Sequence, residues 1–208
     1  MPVDDLHSQG DLVEDGWRGV ELFHIMGREI MGNLVELSPH VRAYNDADRA
    51  GVLKIIHDVK WTSRLFVDKS VPLHLALQHK YAVFESCVAD DQPTFVYEED
   101  GHIMGFVQLH QNSVALIASV KPGGGAKLLD RAIWSALSRN EQIFTAGTSA
   151  DSAKMSFYSR NGFEVWESYV TFHKWKDGVK PSLPSCKPDL DRKGSRRKPS
   201  AKLPVNHS

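Results

Sequence analysis

Three consecutive glycines, Gly123, Gly124 and Gly125, follow an apolar run at residues 114–120. After them Leu128, Leu129, Ala132, Ile133, Ala136 and Leu137 recur at helical spacing and form one apolar stripe. The local reading is strand, glycine-rich turn, helix. That order aims free backbone N–H groups and the positive end of a helix dipole at one point, where a phosphate or pyrophosphate is the natural occupant. Three glycines alone would make only a flexible turn; the flanking strand and helix make them an anion site. A second pair able to do chemistry is Phe157 and Tyr158, adjacent on a short helical segment and so about a quarter-turn apart. One can face the core and the other a cleft, and Phe157, with no polar group to place, is the better core residue.

The elements that position these residues follow from the pattern. Residues 41–44 read as a short strand. Asn45-Asp46 caps a helix over about 47–57, with Val52, Leu53, Ile55 and Ile56 as its apolar face. Residues 63–68 form a loop. A second helix is capped by Ser70, tolerates Pro72 in its first turn, and buries Leu73, Leu77, Tyr81 and Phe84. A hairpin joins 94–97 to 103–109 through a turn containing Asp100-Gly101. The strand at 114–120 pairs next, after the turn at Gln111-Asn112. Past the glycines and their helix come a strand at 142–146 and a helix over 151–160 that stops at Asn161-Gly162. The chain then offers 163–166, a break at Glu167-Ser168, and a last strand at 169–175. Residues 20–26 could be a strand, but five glycines between 10 and 32 interrupt long elements, so 1–38 reads as an N-terminal extension of uncertain structure.

Composition bounds the function. The chain has 208 residues, 41% hydrophobic and 25% charged, enough for one ordinary globular domain with extensions. Its net charge of −1 hides an asymmetry. Residues 1–175 hold 16 Lys/Arg against 23 Asp/Glu, and 176–208 hold nine against three. An acidic body argues against broad phosphate-backbone binding. The proline-rich basic tail reads as disordered. Its run at 192–198 offers a nucleic-acid contact, although a solubilising tail is the simpler reading. Two separated cysteines, Cys87 and Cys186, make neither a disulfide framework nor a zinc pattern, and no metal site is expected. The acidic start is unlike a signal peptide, and no apolar run is long enough to span a bilayer, so a cytoplasmic protein is expected.

The order of elements resembles the GNAT superfamily of N-acetyltransferases. Three motifs carry the resemblance: residues 100–107, like the family's central hairpin; 114–129, like its acyl-CoA pyrophosphate loop; and 157–163, like its late Tyr-x-x-x-Gly-Phe signature. Together they span about 41–175. Lys121 stands where the family often has glycine, and Asp151 where it has asparagine. Within the superfamily, the residues 64–68, the compact glycine loop and the aromatic strand 169–175 look like acetyltransferases of amino-sugar nucleotides, the dTDP-fucosamine type. The resemblance implies an α/β fold with a mixed, mostly antiparallel sheet flanked by helices, in a domain over 39–175 between the extension 1–38 and the tail 176–208.

It also implies acetyl-CoA as co-substrate and transfer of its acetyl group to a primary amine. Backbone groups at Ile117, Ala118, Ser119 and Val120 would hold the thioester. Gly123, Gly124, Gly125 and Ala126 would bind the pyrophosphate, with charge from Lys127, while Asp151 would approach the pantetheine arm. Tyr158 would protonate the departing thiolate. No general base stands out; Glu85, Asp68 and His110 are candidates through a water. The partners expected are a small-molecule amine acceptor and, as an open alternative, a second copy of the chain. The competing readings are a GNAT-fold protein that modifies or binds nucleic acid through its tail, and a non-catalytic acyl-CoA binder.

Overall fold

A computed structural model describes residues 11–12, 14–15, 17–30, 36–68 and 71–173. The basic tail, with its 192–198 run, lies outside the described residues, as do Ser70 and Trp175.

Seven strands make one sheet: β1 (Arg18–Glu29), β2 (Val41–Ala43), β3 (Thr94–Glu99), β4 (His102–His110), β5 (Ser113–Ser119), β6 (Ile143–Ser149) and β7 (Glu164–His173), in the spatial order β2-β3-β4-β5-β6-β1-β7. Every neighbouring pair is antiparallel except β5 and β6, which run parallel. Among the described residues, four helices longer than a single turn flank the sheet: α1 (Arg49–Asp58), α2 (Leu73–Ala89), α3 (Gly124–Ser138) and α4 (Ser152–Arg160). This is the mixed, mostly antiparallel α/β class expected from the sequence.

The central strands are covered on both faces. On one face Val52, Ile55 and Ile56 of α1 and Phe84 of α2 pack on Val96, Phe106, Leu116 and Ala118. On the other, Leu128, Leu129, Ala132, Ile133 and Ala136 of α3 and Tyr158 of α4 pack on Phe95, Tyr97, Val107, Met26, Phe144 and Ala146. The α3 stripe is thus the one its periodicity announced. The turn between β3 and β4 is tight, because Asp100 and Gly101 both take positive φ (52° and 74°), which suits the twist of the hairpin.

α1 begins later than its sequence suggests. A 3-10 turn, Asp46–Asp48, precedes it, and Asn45 and Asp48 form a reciprocal capping box. Asp48 is buried and accepts two 2.7 Å hydrogen bonds from the Arg42 guanidinium. That pairing holds its carboxyl below the usual range. A depressed carboxyl contributes stability that is complete above the unfolded pKa, near 3.9, and is lost as pH falls through the folded value. Asp48→Ala should therefore cost about 1–3 kcal/mol at neutral pH, and the gap from wild type should narrow at acid pH, as the carboxylate is protonated. Denaturant melts at both pH values check this.

Four readings are corrected. Residues 18–29 are not an extension apart from the sheet: β1 pairs with β6 from Phe23 to Glu29 and with β7 from Arg18 to Gly27. Its glycines do not break it, because Gly27 lies against the flat Trp166 ring, where a Cβ would collide. The break expected at Glu167-Ser168 is a β-bulge instead. Ile25 pairs with Glu167 and Met26 with Val165, so Trp166 is the extra residue of one continuous strand. Leu73, read as buried, is 65% exposed, and α2 buries Ala76, Phe84 and Cys87. Residues 63–68, read as a loop, contain a single helical turn, Arg64–Val67.

Candidate active site

The parallel pair β5 and β6 is joined at two positions only, Ser113–Thr145 and Val114–Ala146. The reason lies on the other edge of β5. Gln108 pairs with Leu116 and Leu109 with Val114, so Ala115 is an unpaired bulge. A bulge bends its strand and increases its twist. Beyond it β5 leaves β6, and the sheet opens. A strand's backbone groups alternate between its two neighbours. Val120 donates its N–H to Met104 O of β4 at 2.9 Å. By that alternation the N–H groups of Ile117 and Ser119 face the opening.

The opening continues into a cleft of about 1080 Å³ that passes from one face of the sheet to the other. On the α3–α4 face it is lined by Gly123, Gly125, Ala126, Phe157, Tyr158, Arg160 and Asn161. On the α1–α2 face stand Glu21, Phe23 and Ile25, three alternate residues of β1. They point opposite Met26, which packs under α3. Val59, Trp61 and Leu65, with His79 and Lys80 of α2, complete that wall.

The glycine turn is built for close approach. Gly123 caps α3 with φ +78°, a conformation only glycine takes without strain. Gly124 donates to Lys121 O at 3.0 Å and lies on Ser119 Oγ so closely that a Cβ would collide with it. Ser119 Oγ in turn accepts from Lys121 N–H at 3.1 Å. The loop is further pinned by the ion pair of Lys121 with Glu99, 2.6 Å. Gly125 and Ala126 sit in the first turn of α3, where N–H groups have no intrahelical acceptor, and both line the cleft. A helix N-terminus with free donors suits a phosphate.

Of the residues expected to form the coenzyme site, Ile117, Ala118, Ser119, Gly123, Gly125 and Ala126 meet in the cleft, along with Tyr158. Val120, Gly124, Lys127 and Asp151 do not line it. The Val120 N–H is taken by β4, and its side chain faces solvent. Gly124 is packed beneath the loop. The Lys127 ammonium turns to Tyr97, 5.3 Å from the ring centroid. Asp151 caps α4, accepting from Ala153 N–H (2.8 Å) and Lys154 N–H (3.2 Å), which lowers its pKa.

The assignment of Phe157 to the core and Tyr158 to the cleft is reversed in degree. Tyr158 is only 4% exposed, edge-on to Phe163 and Phe157, while Phe157 is half-buried. Both still line the cleft. Burial pushes the Tyr158 phenol well above its ordinary pKa, so it stays protonated through the neutral range. None of the base candidates named from sequence reaches the cleft wall. Glu85 is held by Arg49 at 2.7 Å, His110 sits exposed at the far end of β4, and Asp68 is not among the lining residues. Among the described residues, the lining has one carboxylate, Glu21, and one imidazole, His79. Glu21 had a sequence signal: an acid alternating with Phe23 and Ile25 on an otherwise apolar strand face. Lys154, half-buried at the start of α4, also lines the cleft; burial lowers its pKa against the opposing pull of Asp151 and Glu21. Among the described residues no cluster of ligands could hold a metal, and no helix is long and apolar enough to cross a membrane.

No family model matches the chain, and no curated protein sequence matches it. Solved structures do. A GCN5-related N-acetyltransferase from Sphaerobacter thermophilus superposes with a TM-score of 0.59 at 16% identity, over 84% of this chain and 57% of that one. A GNAT-family acetyltransferase from Colwellia psychrerythraea gives 0.56 at 11% identity, over 83% and 63%. A glucosamine N-acetyltransferase region of a fungal multi-domain β-N-acetylglucosaminidase gives 0.57 at 14% identity, over 83% of this chain and 24% of that one. The chain thus spans less than two thirds of the length of these structures. The architecture around the opened β5–β6 pair matches the GNAT fold of these structures.

Proposed function

We propose that the protein is an acyl-CoA-dependent N-acetyltransferase. The observation that carries this is the opening of β5 from β6 beside a helix N-terminus whose free N–H groups face the same cleft. Acyl transfer from a thioester needs a polarised carbonyl, a neutral and aligned amine, and a protonated leaving thiolate. The N–H groups of Ile117 and Ser119 would polarise the carbonyl. Gly125 and Ala126 would hold the pyrophosphate, with Gly123 shaping the turn. Tyr158 would give its proton to the thiolate. The phenol's raised pKa makes it a weaker acid, but the same desolvation makes a thiolate beside it a stronger base, so the two remain matched.

Glu21 is our candidate for the group that takes the amine's proton, because it faces the cleft from the side opposite the glycine turn. Glu21→Gln keeps the shape of the side chain and should lower turnover about 10²-fold with acetyl-CoA binding unchanged. Steady-state kinetics in both substrates separate this from a loss of coenzyme affinity, which would place Glu21 elsewhere. The acceptor reading drawn from the resemblance, an amino-sugar nucleotide, remains our first choice. The whole reading is tested by following thiol release from acetyl-CoA with sugar-nucleotide amines, simple amines and peptides. Acetyl-CoA binding without turnover on any amine would leave a non-catalytic acyl-CoA binder.

A further inference from the structure

We infer that Lys154 is a site of self-acetylation: its ε-amine takes an acetyl group from acetyl-CoA bound in the same cleft. The inference rests on the acyltransferase reading for the position of the coenzyme. The last pair between β5 and β6 is Val114 with Ala146, and past it Gly147, Thr148 and Ser149 of β6 line the cleft. α4 follows directly, capped by Asp151, with Lys154 in its first turn. The helix therefore begins beside the opening between the two strands. Lys154 and Tyr158 are four residues apart on α4, so their side chains share one face of the helix, and both line the cleft. The phenol that serves the thiolate and a primary amine thus border the same space.

The state of that amine favours the reaction. An ammonium cannot attack a thioester, whereas a neutral amine can. Lys154 is half-buried, and burial favours its neutral form more than Asp151 and Glu21 favour its charged one. Glu21 is near because Ala150 donates its N–H to Leu22 O at 2.8 Å, which sets that part of β1 beside the start of α4. An amine already fixed in the cleft has no translational freedom left to lose, so its attack is effectively unimolecular. The step needs no further reactant. The ammonium first loses a proton. The neutral Nζ attacks the thioester carbonyl, and the C–S bond breaks as the C–N bond forms. The nitrogen gives up a second proton and the leaving thiolate takes one. Lysine and acetyl-CoA thus become N-acetyl-lysine and CoA.

The test incubates the full chain with acetyl-CoA and no added amine, and reads acetylated peptides by mass spectrometry over time. Lys154 should be acetylated at least about tenfold faster than Lys54, whose side chain is 75% exposed. At fixed acetyl-CoA the rate at Lys154 should be independent of protein concentration, as a reaction within one chain requires. Excess CoA should suppress it by occupying the cleft, and should leave Lys54 unaffected. Equal rates at Lys154 and Lys54 would overturn the inference. So would a Lys154 rate that falls on dilution of the protein or ignores CoA. Turnover on an added amine with Lys154 unmodified would sink this inference alone. CoA-sensitive acetylation of Lys154 without turnover on any added amine would sustain it and remove only the external acceptor. Failure of acetyl-CoA to bind, read by calorimetry, would overturn the acyltransferase reading and this inference with it.

Discussion

Tyr158→Phe is expected to lower turnover by roughly 10²–10⁴ while acetyl-CoA binding and thermal stability stay close to wild type. The substitution keeps a ring that packs against Phe157 and Phe163 and removes a single hydroxyl. The structure sharpens the test, because Tyr158 has two possible roles. At 4% exposure it is a core residue, and a core role alone predicts little change in turnover. As a cleft-lining phenol that burial keeps protonated, it can be the acid that releases the coenzyme thiol. Near-normal kcat in Tyr158→Phe would reduce it to packing. The accompanying melt matters: a large drop in stability would mean the hydroxyl serves the fold.

Gly125→Val should abolish measurable acetyl-CoA binding, an affinity loss of more than about 10²-fold, in a protein that still folds. A Cβ at position 125 would come 3.4 Å from the Phe157 ring, an ordinary contact, so the backbone can accept it. The rest of the valine side chain then occupies space against Phe157 in the cleft where the pyrophosphate should lie. Gly124 is the contrasting position. A Cβ there meets the Ser119 hydroxyl that ties β5 to the loop, so Gly124→Val should perturb the fold itself. Calorimetric titration with acetyl-CoA, beside far-ultraviolet circular dichroism, reads both variants. Unchanged affinity in Gly125→Val would remove the glycine turn from the site.

Local signals in the chain were dependable wherever one segment could satisfy its own constraints. The α3 stripe from Leu128 to Leu137, the Asp100-Gly101 hairpin and the Asn161-Gly162 stop each depend on spacing or on a turn residue's φ. Neighbours within a few residues decide these, so they could be read directly. The glycine turn after an apolar strand was legible for the same reason, and with it the Gly123, Gly125 and Ala126 part of the cleft lining.

What the tertiary structure decided concerns partners far apart in sequence. Nothing near residues 18–29 says that the strand will lie between β6 and β7, over 100 residues away, yet that pairing carries Glu21 into the cleft. The Ala115 bulge is visible only once β4 and β5 are in register, because a bulge is a mismatch between two strands and no property of either. The Phe157–Tyr158 pair shows the limit most plainly. Helical spacing places two adjacent side chains a quarter-turn apart, but which one is buried depends on Phe163, Phe144 and α3 closing over it. A chain's periodicity sets the angle between two side chains; the packed neighbours set which of them meets water.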